Sequence, residues 1–500
     1  MPITQTNEEI VSLISEYSTQ FDYKKNDTAI ILAAGHGKRI KSQTSKMLHK
    51  IWEKPTVERV YNACKSAFTL SNIITVVGIK ADDVIKAIGK KDNNLFAYQE
   101  VQNGTGHAVQ VALQSIDKEN YDGIVYVFPG DMGLIDSATV KLFRESFLKS
   151  KSDMMVLTGL FEGNKEDNYY GRIIRVKEFD SDGKHSLDDF GKVIEIIEYK
   201  DILALGADST YKTAFRGKTY HYSKDELLAI PEFNSGVFAF DFKKLVKLIF
   251  NIKSENVQNE VYLTDLISLF NQEGYVVQAV SPLEQFVIMG FNNKSVLKEM
   301  EDLARNHIYE KLKDIITIDD PDDFYIDDEV IEQILELDNK GIPLDINLGK
   351  GAYIGKGVKI NYNLNLHKNV SLVGNILLGK NINLMANVDI SCYEGQKLVI
   401  GNDVMIFWNN ILRGNIIIGE NCRIESGVKI TGSDEFPVII GNGVTLKGVS
   451  YIFGSKIDDG FLIEHSVLVK KVIKSDKNEA KLVSYYIPET VGKELVKDLK

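Results

Sequence analysis

The 500-residue sequence is poor in cysteine, has no surplus of positive charge and contains no long apolar run. Its three cysteines, Cys64, Cys392 and Cys422, are odd in number and widely spaced. They form neither a disulfide framework nor a zinc-ligand spacing, which fits a reducing compartment. Lys and Arg total 59 against 70 Asp and Glu, a net charge of −11. That balance argues against nucleic acid as a general partner. No segment approaches the ~18 uninterrupted apolar residues of a membrane span, so no membrane association is expected. The stretch "MPITQTNEEIVSLISEYSTQ" carries Glu8, Glu9 and Glu16 among its apolar positions. It lacks the basic region and apolar run of a signal peptide, so a cytoplasmic location is expected. What is present is the composition of a soluble globular chain, 44% hydrophobic and 26% charged. The length predicts two or three domains.

Residues 1–27 read as an amphipathic helical extension, with Ile10, Leu13, Ile14 and Tyr17 at helical spacing. From residue 28 onward, apolar runs such as "TAIILAAG", "NIITVVGI" and "GIVYVFPGD" alternate with helical patterns such as "PTVERVYNACKSA" and "ADDVIKAIG". Continuous rather than alternating hydrophobic strands predict an α/β domain on a mixed, mostly parallel sheet, over residues 28–330. The acidic stretch "DDPDDFYIDDEV" (319–330) reads as a solvated connection rather than a metal site. After Pro343 an apolar residue followed by Gly recurs, at Ile354-Gly355, Leu378-Gly379, Ile400-Gly401, Ile418-Gly419 and Ile440-Gly441. This degenerate hexapeptide repeat predicts a left-handed parallel β-helix over 331–470. An antiparallel sandwich with Gly turns is the alternative. The charged tail, 471–500, is expected to be partly helical.

Between the first strand and residue 51 stands "AIILAAGHGKRIKSQTSKMLHKI". Small residues at Ala33, Ala34, Gly35 and Gly37 let the backbone approach a ligand and aim its N–H groups at phosphate oxygens. Arg39 adds a planar fork and Lys46 a point charge. A dinucleotide fingerprint fails because Ile40 stands where its third Gly belongs, and a P-loop fails on spacing.

The fuller pattern L-A-A-G-x-G-x-R, then Lys46, then L-H-K-I, resembles the sugar nucleotidyltransferase family. Further stretches agree in order: "QEVQNGTGHAVQVAL" (99–113), "GDMGLI" (130–135), "YYGRI" (169–173), "EYKD" (198–201), "NSGVFAF" (234–240), "NEVYLTDLI" (259–267) and "GFNN" (290–293). Among the family's members the chain looks most like the uridylyltransferase half of the bacterial bifunctional N-acetylglucosamine-1-phosphate uridylyltransferase/acetyltransferase. The resemblance covers about residues 28–330 and implies a Rossmann-like nucleotidyltransferase domain. It also implies a reaction: attack of a sugar 1-phosphate oxygen on the α-phosphorus of UTP, releasing pyrophosphate. By the resemblance, Arg39 and Lys46 are catalytic, offsetting triphosphate charge. Leu32, Ala33, Ala34, Gly35, Gly37, Gln99, Gly104 and Thr105 hold the nucleotide. Gly171, Glu198, Lys200 and Asn234 hold the sugar phosphate. Asp131 and Asn292 hold Mg²⁺, a hard cation that takes oxygen ligands and keeps several waters. No general base is implied, since the sugar phosphate is already ionised.

Each residue also has a plainer reading. Asp131 could cap the next helix, Lys46 could be surface charge, and Glu198 and Lys200 could face solvent in a strand-like run. His107 reads as structural, and Thr264 and Asp265 as the start of a helix. Two positions depart from the family pattern: Ser45 and Gly133 stand where Pro is usual. The acetyltransferase loop of the bifunctional enzyme has no match. "ISCYEGQKL" (390–398) lacks its residues, and His367 and His465 are isolated. Acetyl transfer is therefore not expected, and the solenoid is expected to support a homo-oligomer such as a trimer. The alternatives for the first half are another sugar 1-phosphate or base, such as glucose 1-phosphate or dTTP, and a non-catalytic sugar-nucleotide-binding scaffold.

Overall fold

The structure, a computed structural model, describes residues 7–485 apart from 36, 38–39, 69–70, 166–167, 207, 255 and 475–480. The chain divides into two compact units, residues 1–301 and 302–500.

In the first unit α1 (Asn7–Tyr17) precedes β1 (Asp27–Leu32), and a short hairpin, β2 (Lys50–Ile51) and β3 (Lys54–Pro55), leads into α2 (Thr56–Ala67). Strands and helices then alternate: β4 (Ser71–Val77), α3 (Ala81–Ile88), β5 (Asn94–Tyr98), α4 (Gly104–Leu113), β6 (Ile124–Pro129), α5 (Ser137–Ser150) and β7 (Met154–Leu160). Next come β8 (Arg172–Arg175), β9 (Val193–Ile197), α6 (Tyr199–Ala204), a hairpin of β10 (Thr210–Phe215) and β11 (Lys218–Ser223), and α7 (Lys224–Ala229). β12 (Glu232–Asp241), α8 (Phe242–Leu248), α9 (Leu266–Gln272) and β13 (Val277–Val280) close the sheet, and α10 (Lys294–Leu312) follows.

The central sheet runs β13-β7-β12-β6-β1-β4-β5, with β8 and β9 added beside β12. β1 pairs in parallel with both β4 and β6, so Leu32 lies level with Val76 on one side and Pro129 on the other. Successive parallel strands leave β1 in opposite directions, which opens a crevice at their carboxyl ends. The loops after β1 and β6, bearing the Gly-rich turn and Asp131, therefore emerge together. All seven residues of β4 are buried, as expected of a strand covered on both faces. One apolar layer joins the sheet to α2, α3 and α5, and the other joins it to α4, α8 and α9. A third, smaller cluster holds the β10–β11 hairpin against β8 and β9 through Phe215, Tyr220 and Tyr222.

The N-terminal extension has a definite place. Ile10 is buried, and Leu13, Ile14 and Tyr17 pack on the same core. The segment after α1 covers β5, the exposed edge of the sheet. Thr19 N donates to Asn94 O at 2.8 Å. Phe96 N donates to Ser18 Oγ at 3.0 Å, and Asn94 N to Thr19 Oγ1 at 2.9 Å. Unpaired edge groups invite association with another strand, and this coverage removes them. Residues 1–6 lie outside the described residues.

The second unit is the left-handed parallel β-helix that the repeat predicts, built among the described residues from three sheets of nine, eight and six short parallel strands. Its interior is filled by Ile, Leu and Val, among them Leu366, Leu384, Ile406, Ile424 and Leu446 on one wall. The apolar-Gly step has a steric cause. A Cβ on Gly379 would lie 2.6 Å from the backbone carbon of Gly401, and one on Gly401 would lie 2.8 Å from that of Gly419. Asparagines occupy corner positions of positive φ, a conformation that Asn tolerates better than most residues. They hydrogen-bond from coil to coil, as in Asn369 to Asn387 at 3.1 Å and Asn387 to Asn409 at 3.0 Å.

The boundary differs from the expected one. β14 (Thr317–Ile318) and β15 (Phe324–Ile326) already stack under the next coil, by pairing with residues 347–348 and 352–354. The acidic stretch is thus not a solvated connection. Phe324, Tyr325 and Ile326 are buried in it, Asp320 pairs with Lys350, and Asp327 caps α11 (Asp328–Asp338). Asp322 and Asp323 are exposed, whereas Asp327 is buried where it caps α11. Coils also persist beyond residue 470, where Leu482–Val483 pairs with 462–463. Residues 475–480 and 486–500 of the expected tail lie outside the described residues.

Candidate active site

The crevice after β1 and β6 holds a cavity of about 370 Å³ lined by residues from most of the motif stretches, those at 169–173 and 290–293 excepted. Leu32, Ala34 and Gly35 form its floor, Gln99, Gly104 and Thr105 one side, and Glu198 and Asn234 the other, with Asp131 between. Ala33 is buried behind the floor. Arg39, with His36 and Lys38, lies outside the described residues.

Gly37 does not line the cavity; it makes room for Lys46. Its φ is +64°, and a Cβ there would lie 2.6 Å from Lys46 Cβ. Lys46 is not a surface charge, since its side chain is 12% exposed. Its ammonium pairs with Asp131 Oδ2 and donates to Asn292 Oδ1 at 3.0 Å, and it sits 5.3 Å over the Phe291 ring. Three residues far apart in sequence thus meet at one nitrogen. Asp131 follows β6 but caps no helix; Asp136 caps α5. A Cβ on Gly290 would lie 3.2 Å from Asp131 Oδ2, so that glycine leaves the carboxylate free. One of the two departures from the family pattern has a steric reason, and the structure does not explain the other, at Ser45. Gly133 has no room for a side chain, because a Cβ would meet Thr56 Cγ2 at 2.7 Å. Ser45 is buried at the start of the turn that carries Lys46.

On the nucleotide side, Gln99 is buried, and its amide nitrogen lies 3.2 Å from Gly104 O and 3.1 Å from His107 Nδ1. His107 therefore orients Gln99. Gly104 has φ +91°, and a Cβ would lie 2.5 Å from Val261 O. Thr105 Oγ1 accepts from Leu263 N at 3.2 Å.

On the sugar side, Glu198 is not in a strand; it immediately precedes α6. Burial pushes its carboxyl up to about 7, with further repulsion from Asp201 and Asp265. Asp265 is itself pushed up to about 6 by burial and by Asp201 and Glu195. Gly171 clears space for Glu198, since a Cβ there would lie 3.2 Å from its carboxylate oxygens. Asn234 Oδ1 accepts from Gly236 N at 2.8 Å across a bulge in β12. Lys200 does not line the cavity, and its ammonium is directed to Gln258 Oε1.

Several wall residues were not singled out from the sequence as ligands: Gln102, Pro129, Phe238, Glu260 and Thr264. Thr264 begins a helical turn, as expected, yet its hydroxyl is buried without a hydrogen-bond partner. An orphan hydroxyl on a cavity wall is a group waiting for a ligand. Its signal in the sequence was masked by its fitness as a helix start. Among the described residues, no group of three or more His, Cys, Asp or Glu could hold a metal. The Mg²⁺ ligands implied by the resemblance are one carboxylate and one amide oxygen. Both are hard donors that already converge on a single cationic nitrogen, so the donor set fits that ion.

The strand order of the N-terminal unit thus brings most of the motifs behind the sugar nucleotidyltransferase resemblance to one crevice. Residues 29–166 match the MobA-like NTP transferase domain family. Bifunctional protein GlmU of Caldanaerobacter subterraneus subsp. tengcongensis is 34% identical over 303 residues, 60% of this chain and 57% of that protein. Bifunctional protein GlmU of Clostridium novyi is 35% identical over 304 residues, 61% of this chain and 58% of its own length. The match thus spans under three-fifths of these curated relatives. A solved UDP-glucose pyrophosphorylase superposes with a TM-score of 0.39 at 14% identity, over 57% of this chain and 99% of that one. The fold assignment stands on the strand order itself. No described helix is long and apolar enough to cross a membrane.

Proposed function

We propose that the protein transfers a uridylyl group from UTP to a sugar 1-phosphate, with N-acetylglucosamine 1-phosphate as acceptor, giving UDP-N-acetylglucosamine and pyrophosphate. The observation that carries this reading is the meeting of Lys46, Asp131 and Asn292 beside a cavity lined on one side by Gln99-Gly104-Thr105 and on the other by Glu198-Asn234.

Both reactants are anions, so the protein's task is to position them and neutralise charge. Gly35, on the cavity wall, leaves room for a phosphate to approach its backbone. Lys46 offsets phosphate charge from a site with little access to water, where an ammonium is worth more than in bulk. Gln99 and the backbone at Gly104 read the base edge, and an ill-matched base would leave buried donors unpaired. Glu198, Asn234 and Thr264 face the sugar. Asp131 and Asn292 would hold Mg²⁺, which when bound would neutralise phosphate oxygens. Lys46 is held by both oxygens, which keeps its ammonium beside the cavity.

The test is a panel of nucleoside triphosphates and sugar 1-phosphates, following pyrophosphate release with and without Mg²⁺. Turnover with UTP and N-acetylglucosamine 1-phosphate is expected to lead the panel. Preference for dTTP or glucose 1-phosphate would reassign the substrates. Binding of a UDP-sugar without pyrophosphate release would make the protein a scaffold. Acetyl-CoA with glucosamine 1-phosphate is expected to give no product.

The same reading places a homo-oligomer, a trimer, on the β-helix, in the cytoplasm. Leu377, Val399, Ile417 and Ile439 stack in register on the outer face of the six-stranded sheet. Ile417 is 47% exposed within that stripe, and such a face is suited to burial against another copy.

A further inference from the structure

Two sets of hydrogen bonds converge on one short segment, residues 256–264. We propose that this segment is a strap that fixes the spacing between the nucleotide side and the sugar side of the cavity, with Asn256 and Gln258 as its positioning residues. The proposal rests on the functional reading above.

One end of the strap is tied to the first turn of α4. Val261 N donates to Asn103 O at 3.0 Å, and Gly106 N donates to Val261 O at 2.8 Å. Leu263 N donates to Thr105 Oγ1 at 3.2 Å. The approach is close enough to demand two glycines. A Cβ on Gly104 would lie 2.5 Å from Val261 O, and one on Gly106 would lie 2.8 Å from Val261 Cγ1.

The other end is tied to the first turn of α6, directly after Glu198. Val257 N donates to Asp201 Oδ1 at 3.1 Å. Lys200 directs its ammonium to Gln258 Oε1. Between the ends, the strap is braced by its own side chains. Gln258 Nε2 donates to the Tyr262 hydroxyl at 2.7 Å. Asn256 Oδ1 accepts from Gln258 N and Glu260 N, both at 3.2 Å, and Asn256 Nδ2 donates to Glu260 O at 2.6 Å. The inner edge of the strap supplies Glu260, Leu263 and Thr264 to the cavity wall, whereas Asn256 and Gln258 do not line it.

The helix that begins the nucleotide side and the helix that begins the sugar side thus hang on the same few residues. In-line transfer requires the two reacting centres within about 3–3.5 Å and aligned, and a displacement of about 1 Å can cost about 100-fold in rate. Asn256 and Gln258 touch neither substrate. Their loss is therefore felt in the alignment of two bound ligands rather than in the affinity for either.

The test uses the full chain with UTP and N-acetylglucosamine 1-phosphate. Gln258→Ala and Asn256→Ala are expected to lower kcat by about tenfold or more, with both KM values within about threefold and Tm unchanged. Gln258→Glu keeps the acceptor for Lys200 and lets the Tyr262 hydroxyl donate where it now accepts, and is expected to restore kcat. A kcat equal to that of the unaltered protein, or a loss that follows Tm, overturns the strap. If the unaltered protein releases no pyrophosphate with any sugar phosphate, the functional reading falls instead. Amide hydrogen exchange then decides the strap. Gln258→Ala, a change on the sugar side, is expected to speed exchange of the Gly106 amide on the nucleotide side, and unchanged exchange there overturns it.

Discussion

Lys46 holds two partners that a metal would also claim. Its side chain and that of Asp131 are 12% and 16% exposed. Asp131→Asn removes the charge that pairs with Lys46 and leaves a neutral amide oxygen in place of a carboxylate. The expected outcome is a higher Mg²⁺ concentration for half-maximal turnover, and an unchanged metal titration would remove Asp131 from the site. Glu198 makes a second, independent expectation. Its carboxyl is held up to about 7, against an ordinary 4.5, first by burial and then by Asp201 and Asp265. The raised value means that the neutral form is favoured in the folded chain. Its contribution to stability is full below the ordinary value and is lost as pH rises through about 7. As an acceptor for sugar hydroxyls Glu198 acts oppositely, gaining strength as pH rises through the same window. In kcat/KM for the sugar phosphate, the unaltered protein is expected to show a rise near that pH that Glu198→Gln lacks. Asp201→Asn removes the repulsion and is expected to move the rise to lower pH.

At the scale of elements, α4 begins where a backbone must nearly touch another. With Gly104 at φ +91° and 2.5 Å between a new Cβ and Val261 O, Gly104→Ala has no relaxed conformation. Its expected effect is loss of nucleotide binding by calorimetry, together with a lower Tm. α1 is held by an apolar face. Ile10 is 6% exposed in the main core, and Ile10→Ala is expected to cost about 2–3 kcal/mol in urea unfolding. Because α1 and the segment behind it shield β5, the same variant is expected to be more prone to associate through that edge. In the β-helix, the glycine stack is a property of neighbouring coils. A side chain at Gly401 would have to enter the backbone of the coil that carries Gly419, a clash that no rotamer relieves.

At the scale of the molecule, the division falls at residues 301 and 302, inside a helix that has no composition break to mark it. The outer stripe of the six-stranded sheet gives an expectation for assembly. Ile417→Glu puts a charge into the apolar row between Val399 and Ile439, and is expected to shift the sedimenting species toward monomer while the circular dichroism spectrum is unchanged.

Much of this was legible in the residues themselves. Buried parallel strands read as continuous apolar runs, and stacked coils read as apolar-Gly steps, because each pattern reports a local periodic constraint. The Gly-rich turn and its lysine were legible for the same reason, since small residues and cations close in sequence are close in space. What sequence could not supply were relations between distant segments. The burial of Phe324 and Tyr325 within an acidic run depends on a coil that starts at residue 347. The partnership of Lys46 with Asn292 joins residues 246 apart. The raised proton affinity of Glu198 comes first from burial, then from Asp201 close by and from Asp265, 67 residues away, and neither the burial nor Asp265 can be read in "EYKD". Local pattern fixed which elements form; the packing of those elements decided which charges meet, which are stripped of water, and hence what chemistry the cavity can do.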